Sequence, residues 1–156
     1  MSIMSKAPSN KFAASLLALA IALSLQFNFK AFFGWSPEFV MAALIAMVFY
    51  LDVLEMAILA ALSVLIMNWK PTLGLEMILF FIIPFLVMLG RKISPWNSGL
   101  SNILGIILSV VLFYAVSEWP AVSDNAYFLA FITGVTAISG AVIFYILSYF
   151  YKTSPA

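Results

Sequence analysis

Asp52 and Glu55 are the residues whose type and spacing most invite a chemical reading. They lie between two apolar blocks, Phe39 to Leu51 and Met56 to Met67, within a run that extends from Pro37 to Trp69. A helical turn would place carboxylates three residues apart on one face. Ionisable groups inside a membrane segment are candidates for a proton or cation site, or for docking a partner. The competing reading is structural: two interfacial acids end one helix and begin the next, close to Arg91 or Lys92. Glu76 poses the same choice differently. It falls about a turn inside its own apolar segment, where an unpaired carboxylate is costly, so either a lumen-facing or partner-facing role or an interfacial position accounts for it.

The residue types that are missing narrow the chemistry further. The chain contains no Cys and no His, which excludes disulfides, thiolate or imidazole metal sites, Cys nucleophiles and His general bases. Membrane phosphatases and rhomboid-like proteases need a histidine. Metal-dependent lipid phosphotransferases need clustered aspartates, and the only aspartates, Asp52 and Asp124, are far apart. Neither lies in a motif of an intramembrane aspartyl protease. The expected protein is therefore not an enzyme, binds no cofactor and holds no metal. A net charge of +1 gives no reason to expect a nucleic-acid partner.

These residues must be positioned by elements immersed in lipid. Of 156 residues 65% are hydrophobic and 8% charged, against about 25% charged in an ordinary soluble domain. A soluble fold of this size has too much surface for its volume to hide that apolar content. A single integral membrane domain over residues 1–156 is expected, all-α and polytopic, opening with a short cytoplasmic tail at residues 1–11. Phe12 to Phe29 reads as helix 1. Its Ala-x-Ala matches lie inside the apolar core, so it is read as retained rather than as a cleaved signal. Lys30, Trp35 and Pro37 form an interfacial connection, and Asn68 to Pro71 form a second. Further helices follow at Leu73 to Leu89, with Pro84 as a kink, at Leu100 to Val116, and from about Ala126 to Tyr151.

The central run is either one helix or two. As one, Glu38 to Trp69 would be about 48 Å long, well beyond a ~30 Å hydrocarbon core, with two acids near its middle. Charge placement discriminates. Two helices give six short spans, with Lys6, Lys11, Arg91, Lys92 and Lys152 on one side and Lys30 and Lys70 on the other. One helix gives five spans, with Lys6, Lys11 and Lys70 against Lys30, Arg91, Lys92 and Lys152. Only the first has a basic bias, so the positive-inside rule favours six spans with both termini cytoplasmic, in the cytoplasmic (inner) membrane. Asp52 and Glu55 then share the cytoplasmic side with Arg91 and Lys92, and Glu38 and Glu76 share the outer side with Lys30 and Lys70.

Helix 1 also carries Ala14, Ala18 and Ala22, spaced by four on one stripe. Small residues at that spacing let helices approach closely where lipid supplies no hydrophobic drive for association. The stripe serves either the protein's own bundle or another membrane subunit. A similar series, Thr133, Ala137 and Ala141 with Gly134 and Gly140 nearby, lies on the last helix.

Leu25-Gln26 ending helix 1, the segment leading to Pro37, a pair of short helices and Thr72-Leu73-Gly74-Leu75 opening the next helix resemble the rod-shape-determining protein MreD family over residues 1 to about 90. That resemblance implies a non-enzymatic membrane scaffold of cell-wall elongation with a bitopic partner. Six short helices with Ala14, Ala18 and Ala22 on the first are also similar to the substrate-binding S subunits of energy-coupling-factor vitamin transporters. In those proteins the stripe docks on a coupling subunit, and a small-molecule ligand is implied. Asn68, Glu76, Asn97, Asn102 and Asn125 are the polar residues available to such a ligand. Both resemblances imply a bilayer-embedded protein with other membrane subunits as partners.

Overall fold

The computed structural model describes residues 10–67, 74–117 and 125–153. Among them are six helices and no strand: α1 Asn10–Phe33, α2 Phe39–Met47, α3 Val53–Met67, α4 Leu75–Gly90, α5 Ser98–Ser117 and α6 Ala126–Thr153. The run from Pro37 onward is thus two helices, interrupted over Val48 to Asp52.

Five helices form a closed ring around the sixth. α1 touches α3, α3 touches α4, α4 touches α5, α5 touches α6 and α6 returns to α1, while α2 touches all five. Every residue of α2 is buried, and Val40 through Met47 are completely so. A helix that is apolar all round belongs in an interior, but lipid is as apolar as leucine and would accept it equally well. Close packing decides the matter. Ala42, Ala43 and Ala46 keep α2 slim, and a side chain at Gly140 of α6 would collide with Ile106 and come within 3.3 Å of Ala42. Gly105 of α5 is tight in the same way, its missing Cβ lying 3.1 Å from Val87 and 3.5 Å from Ile45.

The outer surface of the ring is apolar on every helix, with Leu17, Leu65, Leu86, Leu108 and Ile138 all at least half exposed. That pattern suits a hydrocarbon solvent. Three helices, spanning Lys11–Phe33, Ser98–Ser117 and Ala126–Tyr151, are long and apolar enough to cross a membrane. The 15-residue α3 and 16-residue α4 are shorter apolar helices, about 22–24 Å long.

The two ends of the bundle are held differently. At one end, Tyr151 of α6 donates to the Lys11 carbonyl (3.2 Å), shares a 2.9 Å bond with Ser15 and stacks near Tyr50 at 4.7 Å. Arg91, just after α4, donates to the carbonyl of Val48 just after α2. This is the Arg91 end of the bundle. At the other, α1 ends in Gly34, whose φ of +73° allows the chain to reverse while its N–H bonds the Lys30 carbonyl. Trp35 then packs edge-on to Phe128 and Phe131 at 5.8 and 5.7 Å, and the chain descends to Glu38.

Candidate functional site

α2 begins below the rim of the bundle. α1 continues from Gln26 to Phe33, about 10 Å past the level at which Gln26 meets Glu38. The non-helical segment from Gly34 to Glu38 returns over that distance before α2 starts. A helix leaves its first N–H groups without intrahelical partners, and at a start this buried, with Glu38 9% exposed and Val40 completely buried, protein groups must take them. Non-helical backbone is tolerated in a membrane interior only where protein satisfies it.

Side chains from two other helices do so here, and a third helix reaches the Glu38 side chain. Thr136 of α6 accepts from the Glu38 N–H at 3.1 Å, and Gln26 of α1 accepts from the Val40 N–H at 3.0 Å through Oε1. The other end of the same amide, Nε2, donates to Glu38 Oε2 at 3.1 Å, and the Tyr114 hydroxyl of α5 donates to Glu38 Oε1 at 3.1 Å. Glu38 is 9% exposed and Gln26 7%. The carboxylate therefore lies at the positive end of the α2 dipole, with both oxygens hydrogen-bonded. Four helices, α1, α2, α5 and α6, meet on this one group.

The residues singled out by sequence occupy other places. Asp52 and Glu55 are at the start of α3, where Glu55 Oε2 accepts from the Asp52 N–H at 3.3 Å and the Asp52 carbonyl accepts from the Met56 N–H at 2.9 Å. This D-x-x-E spacing forms one half of a capping box at the Arg91 end, with Asp52 exposed and Glu55 half-buried. Glu76 is exposed in the first turn of α4, an N-terminal position favourable to a carboxylate. Ala22 is 1% exposed and Ala18 packs partly buried against the core, so this part of the stripe faces the protein's own bundle; Ala14 is half-buried. Asn68 lies outside the described residues.

The remaining polar set is not brought together. Asn97 caps α5 by accepting from the Leu100 N–H at 2.8 Å, and Asn125 does the same for α6 at Phe128, 3.4 Å. Asn102 is fully buried, donating to the Gly140 carbonyl at 3.5 Å, and its Oδ1 has no protein partner. Among the described residues no group of three acidic side chains is placed to hold a metal.

Glu38 was expected at an interface, and Gln26 entered only as the end of helix 1. One signal pointed to them: both interrupt apolar sequence without a neighbouring charge on their own segment, apart from Lys30. Their partnership depends on the reversal at Gly34, which periodicity does not reveal. Thr136 and Tyr114 carry no local sign of their role at all.

No family model, curated protein or solved structure matches this chain. The inner arrangement of the bundle therefore carries the functional argument.

Proposed function

We propose that the chain is a non-enzymatic subunit of a larger membrane assembly, an MreD-like scaffold of cell-wall elongation embedded in the cytoplasmic membrane. In this reading the chain crosses the bilayer six times, the nine-residue α2 completing its crossing with the non-helical segments on either side of it, and both termini are cytoplasmic. The observation that supports it most is the use made of the polar groups. Gln26, Tyr114 and Thr136 fix the start of a buried helix, and Asp52 and Glu55 cap the next one. Such groups hold a shape rather than present a reactive one, while the outer face offers every ring helix to lipid or to a partner helix.

A second reading, a substrate-binding subunit of an energy-coupling-factor type transporter, is favoured by one specific feature. Polar groups from four helices converge on Glu38 at the end that charge counting makes external, where a small molecule would arrive. Purification in a mild detergent with identification of co-purifying proteins separates the two. Cell-wall elongation proteins are the expected companions under the first reading, and ATPases with a coupling subunit under the second. A lone monomer would sink both. Sidedness has its own test in a chain without cysteine: in Asp52→Cys, labelling by an impermeant thiol reagent is expected only from the cytoplasmic face.

A further inference from the structure

α4 and α5 touch, but their seam is indented on its outer side. A groove of about 280 Å³ runs there, walled by Ile83, Val87, Leu104, Leu108 and Leu112 along its length. Among the described residues lining it the only charged one is Arg91, and Ser94, Ser101 and Trp96 stand with Arg91 at the same end. From Ser101 to Leu112 the α5 wall rises about 16 Å, close to half of a ~30 Å hydrocarbon core, the depth of one leaflet. The polar end coincides with the end of α4, and Trp96 is 57% exposed there, as expected of an indole at the headgroup level.

We propose that this groove binds one anionic phospholipid, an acyl chain lying between α4 and α5 and the phosphate on Arg91. Three observations converge. The groove is apolar for the length of an acyl chain and cationic only at its mouth. The Val48 carbonyl takes one donor of the Arg91 guanidinium and holds it half-buried, and a guanidinium has five donors in a planar fork suited to phosphate. Among the described residues no carboxylate pairs with Arg91. The Ser94 and Ser101 hydroxyls, hydrogen-bonded to each other at 2.9 Å, leave one free O–H beside it, and exposed Lys92 adds charge next to the site. The site depends on residence in a membrane and not on which of the two functional readings holds.

The test uses the full chain with Trp35, Trp69 and Trp119 changed to Phe, reconstituted into vesicles, so that Trp96 reports alone. Brominated phosphatidylglycerol is expected to quench Trp96 with a relative affinity about five-fold above brominated phosphatidylcholine, the worth of one basic residue at an anionic surface. Arg91→Gln should bring that ratio close to one, and Arg91→Lys should restore part of it. Lys92→Gln should leave most of it. Should Arg91→Gln fail to fold, Leu86→Phe with Leu108→Phe, both on exposed positions of the wall, narrows the groove without touching the guanidinium and should lower quenching by either lipid. Equal quenching by the two lipids in the parent protein overturns the proposal. So does a preference that survives Arg91→Gln, or quenching unaffected by narrowing the groove. Inorganic phosphate at millimolar concentration should not compete; if it does, the site is one for free anions and not for a lipid.

Discussion

Two consecutive helices of this chain begin at a carboxylate, and the two starts are built in opposite ways. α3 begins at Asp52 on an exposed surface, and its cap comes from three residues along the same strand of sequence, with Glu55 reaching back to the Asp52 N–H. α2 begins at Glu38 inside the bundle, where Gln26 and Thr136 take backbone N–H groups and Tyr114 holds the carboxylate, all from other helices. Water can share the task at the first site, so a weak local bond is enough. The second is buried, and buried donors need partners within the protein. The depth of a helix start thus sets whether its capping is local or tertiary. Cutting the interior cap should damage the whole bundle, and cutting the exterior one should barely be felt.

The largest effect is expected from Gln26→Leu. It keeps approximate volume while removing both the acceptor of the Val40 N–H and a donor to Glu38. Leaving buried polar groups unpaired costs about 1–3 kcal/mol each, so a loss on the order of 3 kcal/mol is expected in reversible unfolding from a fixed detergent or bilayer. Gln26→Glu, which sets a second carboxylate against Glu38, should be at least as damaging. Retention of parental stability by Gln26→Leu would break the distinction between the two helix starts. Tyr114→Phe is the milder probe. It deletes one hydrogen bond to the carboxylate and nothing of the ring contact with Phe113, for an expected loss of about 1.5–3 kcal/mol. A double-mutant cycle between Gln26 and Tyr114 should show coupling, because both hold the same carboxylate.

The same contrast explains what the sequence disclosed. Counting basic residues on either side was enough to divide the run beginning at Pro37 into two helices, but the turn expected around Asp52 to Glu55 falls earlier, over Val48 to Asp52, and Glu55 is already in the first turn of α3. The D-x-x-E at that break is a local pattern, legible because cap and helix are neighbours in sequence. The remaining helices appear within a few residues of their apolar blocks, since each block is bounded by Lys, Trp, Asn or Pro. The central position of α2 was not legible. Phe39 to Met47 is uniformly apolar, and a lipid-facing and a protein-facing helix then read alike. The Glu38 cluster was hidden for a further reason. Its members are 12, 76 and 98 residues from Glu38 along the chain, and a hydrogen bond over such separation leaves no periodic trace. The Ala stripe was visible as spacing, but spacing does not say which neighbour it meets, and Ala22 meets its own bundle.

At the exterior site the expected effects are small. Glu55→Ala removes one exposed 3.3 Å bond from a half-buried side chain and one favourable charge in the first turn of α3. About 0.5 kcal/mol is expected, shrinking in high salt because the charge is screened there. A loss as large as that of Tyr114→Phe would mean that Glu55 holds something other than its own helix start.

The smallest effect belongs to Tyr50, in the turn between the two starts. Its hydroxyl donates to the Phe144 carbonyl at 3.2 Å, and burial pushes the phenol above its ordinary value near 10. A raised pKa means that the folded state favours the protonated phenol. The stability it contributes is complete below the ordinary value and is lost as pH rises through the shifted one. Between pH 7 and 9 the parent protein and Tyr50→Phe should therefore differ by a constant amount. Above about pH 10 the difference should narrow, as the parent loses the bond that the variant already lacks. Absorbance of the phenolate, compared between the two proteins, should show one tyrosine titrating late in the parent and missing from the variant. An early-titrating Tyr50 would place that turn in open water, and the break between α2 and α3 would then be looser than its bond to α6 implies.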